Sequence, residues 1–287
     1  CYYDDSSSGL GDFLRGSCYL FGLMKKNNIE YNIDFSKHSL GRYIKSKHTG
    51  EVKYIYDTEN YNKDSCTQED YVYNMKKNLI SILNAKTDKD LFIFSNYSDF
   101  MESKDNTSFT LNDSCRKFMI ENMKFSKEVE NEYNKHETLN TEFDVVHFRL
   151  GDAEMIDDES LQLDEDNVNT KTYTTSYQKC LDEILKIKNK NKKKIVLLSD
   201  SNKLKSFVSK SNEQDIECIH TKSQHSSNSP GYIEKVISDE ENKINSMLYV
   251  ALDAKIISKA TNIYSYSVYP WGSGLEKYLI YQYTQEN

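Results

Sequence analysis

Short apolar runs alternate with longer amphipathic segments along the chain. The runs at residues 91–94, 144–148 and 195–198 are rich in Phe, Val, Ile and Leu and have the length of buried strands. Between them, apolar residues recur at intervals of three and four, which is the spacing of one helix face. Alternating strands and helices favour a parallel sheet that is covered by helices. The pattern therefore predicts an α/β protein.

The same runs and spacings predict where most elements lie. Strands are expected at residues 51–56, 91–94, 144–148, 195–198, 216–219 and 262–264. Helices are expected at residues 17–26, 72–83, 113–122, 181–185 and 275–283 and from residue 202 onward. A further helix is expected to begin at the capping box formed by Ser238 and Glu241 and to extend to residue 252. A strand at residues 1–3 and a glycine turn at residues 9–16 precede the first helix. The polar segment at residues 126–141 is predicted to be a linker that separates two Rossmann-like domains, residues 1–140 and 141–287.

Length and charge narrow the class of protein. A chain of 287 residues suits one large domain or two medium ones. The formal charge of -8 argues against a nucleic-acid partner, because such a partner requires clustered cations. No segment has the length of a membrane span, and no signal peptide is visible.

Cysteine usage bears on the compartment. The six cysteines are widely spaced and form no C-x-x-C pair, which is typical of thiols in a reducing environment and favours a cytoplasmic location. Because the chain begins at Cys1 and not at Met, a removed leader or anchor stays open as an alternative.

Ligands of doubly wound sheets bind at the carboxyl ends of the strands, which directs attention to the residues that follow each predicted strand. One strand ends in His-Phe-Arg-Leu-Gly-Asp, residues 147–152. Arg149 is a permanent, planar cation that can grip a diphosphate through two hydrogen bonds. A sugar nucleotide reacts by losing its diphosphate, so a fixed cation there would stabilise the developing charge. In the alternative interpretation, Arg149 and Asp152 form an ordinary surface ion pair.

The His-x-Arg-x-Gly-Asp segment resembles the first signature of the fucosyltransferase superfamily that contains the α1,2-, α1,6- and protein-O-fucosyltransferases. Similar segments follow the superfamily's order at residues 9–12, 199–201, 252–260 and 264–272. The last segment, which is rich in serine and ends in Trp-Gly, looks most like the α1,2 branch. The resemblance implies a GT-B-like fold with mostly parallel sheets, in which an acceptor domain and a donor domain face a cleft and the last helix is a candidate to pack back on the first domain.

The resemblance also implies a function: inverting, metal-independent transfer of fucose from GDP-fucose to a carbohydrate acceptor. Arg149 would hold the β-phosphate, and Asp253 would bind guanine. The implied donor-binding residues are His147, Arg149, Asp152, Asp200, Asp253, Ser265, Ser267, Gly9, Gly11 and Arg15, and the implied catalytic residues are Arg149, Asp157 and Asp12. No cofactor and no metal are expected, because the Asp-Glu-Asp at residues 164–166 lies in a polar loop and not beside an evident nucleotide pocket.

Several alternatives stay open at this point. Leu150 stands where the superfamily has a second basic residue, and Val268 and Pro270 depart from its terminal signature. Another nucleotide sugar could therefore be the donor, or the chain could be a non-catalytic nucleotide- or carbohydrate-binding protein. The general base is a carboxylate among several candidates, and Asp253 could instead be an exposed helix residue. The candidate bases are Asp12, Asp152, Glu154 and Asp157.

Overall fold

Helices and strands alternate in the structure, a computed structural model that describes residues 10–26, 28, 30–33, 35, 40–46, 55–56, 92–93, 113–150, 177–219, 240–267 and 279. The helices are α1 (Leu10–Lys26), α2 (Asp113–Asn122), α3 (Lys127–Tyr133), α4 (Tyr177–Asn191), α5 (Asn202–Lys210) and α6 (Glu240–Lys259). The strands are β1 (Ile44–Ser46), β2 (Ile55–Tyr56), β3 (Phe92–Ile93), β4 (Met123–Phe125), β5 (Phe143–Arg149), β6 (Lys194–Ser199), β7 (Ile216–Cys218) and β8 (Ile263–Ser267). The chain divides into two compact units, residues 1–124 and 125–287.

The first unit is built around the contact between α1 and α2. Phe21 of α1 stacks on Phe118 of α2 with ring centroids 4.2 Å apart, and the thiol of Cys115 lies 3.9 Å from the carbonyl oxygen of Cys18. Short strands pair as β1 with β4 and, in parallel, as β2 with β3. The predicted strands at 51–56 and 91–94 are confirmed at the residues that β2 and β3 occupy.

The predicted glycine turn at the start of the chain is wrong from residue 10 onward. Helix α1 already begins at Leu10, and Leu10, Phe13 and Leu14 are buried. This spacing of three and four residues is that of one helix face, and it outweighs the turn preference of the glycines. Gly11 therefore lies in the first turn of α1, whereas Gly9 lies outside the described residues.

The second unit contains a four-stranded parallel sheet in the order β7-β6-β5-β8. All residues of β5 are buried except Arg149 at its end, which explains the continuous apolar run. Val146 and Phe148 pack against residues of α4 and α5 such as Ile184 and Leu204. Because strand side chains alternate, His147 and Arg149 point to the opposite face of the sheet.

The segment predicted to be a linker is folded. Residues 126–141 contain α3 and a 3₁₀ helix at Glu137–Asn140. The segment is polar, but its apolar residues Val129 and Tyr133 are one turn apart and both are buried. The compact units divide between residues 124 and 125. The domain boundary expected from the sequence at 140/141 stays a prediction.

Helix α3 is attached to α6 by a buried lysine. The ammonium group of Lys255 pairs with Glu130 and lies 4.7 Å from the centroid of the Tyr133 ring and 5.6 Å from that of Phe125. A lysine stem is apolar and its charge is attracted to aromatic faces, so this residue joins the two helices through packing and charge together.

The other predictions are confirmed where the structure describes them. They are the strands β5, β6, β7 and β8, the helices α2, α4 and α5, and the part of α6 before residue 252. The strand at 1–3, the helix at 72–83 and the Ser238 cap lie outside the described residues, and of the helix at 275–283 only Leu279 is described, as helical. The structure adds the short strands β1 and β4, which the sequence pattern did not predict.

The structure describes four of the six cysteines. Cys18, Cys115, Cys180 and Cys218 are thiols and not disulfides, whereas Cys1 and Cys66 lie outside the description. Among the helices that the structure describes, none combines the length and the apolar character needed to cross a bilayer.

The substitution Lys255→Ala is expected to lower the free energy of unfolding by about 2 kcal/mol, because it removes a buried stem, a cation–π contact and an ion pair together. Urea denaturation followed by far-UV circular dichroism measures this change. Lys259→Ala, at an exposed position of the same helix, is the matched control and should change stability by less than about 0.5 kcal/mol. Equal effects of the two substitutions would contradict the role of Lys255.

Candidate functional site

The parallel sheet brings four predicted site residues to one face at its carboxyl edge. In the register of β5 and β8, His147 lies opposite Ser265, and Arg149 lies opposite Ser267. Directly paired residues of neighbouring strands point to the same side of a sheet. His147, Arg149, Ser265 and Ser267 therefore line one surface, at the edge where ligands of such sheets bind.

Asp200 binds the end of β5 on the side opposite to β8. It follows β6 directly, and β6 pairs with β5 in parallel. Its Oδ2 accepts a hydrogen bond from Nη1 of Arg149, and its Oδ1 accepts one from the backbone N–H of Leu150 at 2.7 Å. The Asp200 side chain is 4% exposed, against 18% for Arg149. The carboxylate is thus covered, and the guanidinium is the more accessible member of the pair.

The serines on either side of Asp200 build the turn in which it lies. The Ser199 hydroxyl donates to the carbonyl oxygen of Phe148 at 2.8 Å and accepts from the backbone N–H of Ser201 at 3.0 Å. The Ser201 hydroxyl accepts from the N–H of Leu204 at 3.0 Å and caps α5. The Ser-Asp-Ser segment therefore fixes the exit of β6 and points the positive end of α5 to the carboxyl edge.

His147 is neutral at physiological pH. Burial lowers the pKa of its imidazole to about 3, and the positive charges of Arg149 and Lys205 add to this shift. A neutral imidazole has one donor and one acceptor nitrogen, so it can hydrogen-bond a base or a ribose hydroxyl. It does not add to the positive charge of the site.

Lys205 is a residue of this region that the sequence interpretation missed. It lies in α5 and is fully buried. Helix side chains tilt toward the helix N-terminus, which carries its ammonium group toward the carboxyl edge of the sheet. The sequence offered one weak signal for this burial. Lys205 lies next to Leu204 and three residues before Val208, and both of these apolar residues are buried on the same helix.

Asp253 lies in α6 and is not an exposed surface residue. It is half-buried between Leu252 and Ala254, both of which are buried. This finding removes the alternative in which Asp253 is an ordinary solvated helix residue. Its role as a guanine ligand stays a prediction.

The other predicted residues are not placed in this site. Gly9, Asp152, Asp157 and Glu154 lie outside the described residues, and Gly11, Asp12 and Arg15 lie in α1 of the first unit. For Asp12 and Arg15 the structure describes only the backbone. No group of three or more His, Cys, Asp or Glu side chains suited to a metal occurs within the described ranges.

Comparisons with known proteins bear on the fold. No protein-family model and no curated protein matches the chain. Crystal structures of the fucosyltransferase NodZ from Bradyrhizobium do match, over nearly the whole length of both chains. The NodZ α-1,6-fucosyltransferase co-crystallised with GDP has a TM-score of 0.51 and 10% identity over 97% of this chain and 92% of that one. The structure soaked with GDP-fucose has a TM-score of 0.53 and 12% identity over the same shares.

At such low identity the likeness shows the fold, which is the α/β fold of a fucosyltransferase with a parallel sheet. Membership of the superfamily that the sequence signatures indicate stays a prediction. The resemblance to the α1,2 branch in particular stays a prediction, because the matching structures are of an α1,6 enzyme.

The low pKa of His147 predicts that the protein loses stability in mild acid. The unfolded histidine takes up a proton below its ordinary pKa of 6.5, whereas the folded one does so only near 3. Its contribution is therefore fully present above pH 6.5 and falls as the pH drops toward 3, by about 1.4 kcal/mol per pH unit. Between neutral pH and about pH 5, the loss from this residue is about 2 kcal/mol.

Urea denaturation of the wild type and of His147→Gln at neutral pH and in mild acid measures this loss. The variant cannot take up the proton, so its stability should fall less between the two conditions than that of the wild type. An equal fall in both proteins would show that His147 is not held neutral by its surroundings.

Proposed function

We propose that the chain is an inverting, metal-independent glycosyltransferase that moves fucose from GDP-fucose to a hydroxyl of a carbohydrate acceptor. The observation that carries the proposal is Arg149 at the carboxyl edge of the sheet, fixed by Asp200 and more exposed than its partner. The fold supports it, because structures of the same fold come from a fucosyltransferase co-crystallised with GDP and soaked with GDP-fucose.

Transfer of the sugar requires a fixed cation beside the leaving diphosphate. The acceptor oxygen attacks the anomeric carbon of fucose, the bond from that carbon to the β-phosphate oxygen breaks, and GDP leaves with the bonding electrons. The guanidinium of Arg149 stabilises the negative charge that grows on the diphosphate. In the proposed mechanism this cation takes the role that a divalent metal plays in other transferases, which is why we expect activity without a metal.

The remaining proposed donor contacts combine residues at the edge of the sheet with residues that the sequence resemblance implies. Neutral His147 would hydrogen-bond the base or the ribose, while Ser265 and Ser267 on the neighbouring strand would bind phosphate oxygens. The two carboxylate oxygens of Asp253 would accept hydrogen bonds from the paired N–H groups of guanine. Asp152, Gly9, Gly11 and Arg15 complete the proposed set of donor-binding residues.

A carboxylate would accept the proton of the acceptor hydroxyl, on the side opposite to the departing GDP. The candidates are Asp157, which follows the Arg149 segment, and Asp12 of α1. We further propose a GT-B-like arrangement, in which the second unit binds the donor and the first unit contributes to acceptor binding. The sequence places the domain boundary of this arrangement at 140/141, and the compact units divide between residues 124 and 125.

One observation favours a second candidate, a transferase for another nucleotide sugar. Leu150 occupies the position of a second basic residue in the superfamily signature, and its side chain packs against the apolar cluster under the sheet. A changed set of charges beside Arg149 is compatible with a different sugar or base. A site that binds the nucleotide sugar without catalysis is a third possibility, which a transfer assay distinguishes.

Calorimetric titration with GDP and with GDP-fucose, in the presence of EDTA, tests the proposal. The wild type should bind GDP, and Arg149→Gln should bind it at least about thirtyfold more weakly, because a charge-assisted contact to phosphate is lost. Arg42→Gln, at an exposed arginine of the first unit, is the control and should leave the affinity unchanged.

The outcomes separate the candidates. Binding of GDP with transfer from GDP-fucose to a glycan supports the proposed function, whereas binding of GDP but not of GDP-fucose favours another guanine nucleotide sugar. A folded wild type that binds no guanine nucleotide would overturn the proposal.

A further inference from the structure

We propose that Asp200 is a positioning residue, which aims the Arg149 guanidinium at a nucleoside diphosphate and does not itself touch the nucleotide. This inference rests on the proposed function, because it takes the diphosphate as the ligand of Arg149. It differs from the role that the sequence resemblance implies, in which Asp200 is a donor-binding residue.

Both oxygens of the Asp200 carboxylate face the end of β5. Oδ2 accepts from Nη1 of Arg149, and Oδ1 accepts from the N–H of Leu150 at 2.7 Å. With 4% of the side chain exposed, the carboxylate lies beneath the guanidinium, which is 18% exposed. A ligand at the edge of the sheet would meet the cation first.

The carboxylate is itself held rigidly. Its neighbours Ser199 and Ser201 bond to the backbone of β5 and to the first turn of α5, at 2.8 Å and 3.0 Å. A fixed anion can therefore hold a long side chain that would otherwise sample many rotamers. Holding Arg149 in place before the ligand arrives removes an ordering cost from binding.

Charge gives the second reason for an indirect role. A carboxylate in direct contact with a diphosphate would repel it, whereas a guanidinium can bind both groups at once. Arg149 has five N–H donors in a planar fork. The contact with Asp200 engages Nη1 and orients the plane of the fork.

A double-mutant cycle on the full chain distinguishes an indirect from a direct role. GDP affinity is measured by calorimetry in EDTA for the wild type, Arg149→Gln, Asp200→Asn and the double variant. Asp200→Asn should weaken GDP binding about tenfold when Arg149 is present. In the Arg149→Gln background the same change should alter affinity by less than about twofold, because a positioning residue acts only through its partner.

Two outcomes of this cycle would overturn the inference. An equal loss of affinity in both backgrounds would mean that Asp200 contacts the nucleotide directly. Tighter GDP binding in Asp200→Asn would mean that the carboxylate only opposes the bound anion. A folded wild type that binds no guanine nucleotide would instead overturn the proposed function, so the two failures are distinguishable.

Asp144→Asn is the matched control for loss of a buried carboxylate. Asp144 is buried at the other end of β5 and accepts hydrogen bonds from the side chains of Asn191 at 2.6 Å and Asn262 at 2.9 Å. This substitution should lower the melting temperature while leaving GDP affinity unchanged. If it weakens GDP binding as much as Asp200→Asn does, the effect at Asp200 is a general loss of stability and the inference is wrong.

A second variant keeps the test valid if Asp200→Asn does not fold. Asp200→Glu retains the charge but moves the carboxylate by one methylene group. The same cycle applies: GDP binding should weaken when Arg149 is present and stay unchanged in the Arg149→Gln background. Equal effects in both backgrounds would again exclude a positioning role.

Discussion

The position of β5 between β6 and β8 is the constraint on which the rest of the second unit depends. Both faces of this strand are buried, and hydrogen bonds join it to a parallel neighbour on each side. A buried carboxylate holds each end: Asp144 binds Asn191 and Asn262, and Asp200 binds Arg149. A shift of β5 by one residue would exchange its two faces, which would turn Arg149 toward the apolar cluster and Phe148 away from it.

The same constraint couples stability to the proposed function. Arg149 stabilises the fold because it pairs with the buried carboxylate of Asp200, and in the proposed mechanism it also binds the diphosphate. Loss of one partner of a buried pair is usually costly, because the other charge is left without compensation. Glutamine and asparagine can still hydrogen-bond the group that remains, so Arg149→Gln and Asp200→Asn disturb the fold less than truncation to alanine does.

Much of the fold could be predicted because a buried strand and an amphipathic helix each leave a periodic signal. The strands β5 and β6 appear as short apolar runs, and α2 and α4 as faces with helical spacing. The errors arose where composition and spacing disagreed. Glycines suggested a turn at residues where α1 had already begun, and polar composition suggested a linker where two apolar residues fix α3. In both places the spacing of the buried residues decided the structure.

The sequence could predict individual residues of the site, but not the contacts between them. Arg149 and Asp200 are 51 residues apart, and the one partner that the sequence offered for Arg149, in the alternative interpretation, was nearby Asp152. Only the register of two strands shows that the end of β5 meets the end of β6. The register also bears on Leu150, the main departure from the superfamily signature. Asp200 accepts a hydrogen bond from the backbone N–H of Leu150, while the side chain of Leu150 packs against the apolar cluster. The contact between Asp200 and Arg149 therefore does not depend on which side chain stands at position 150.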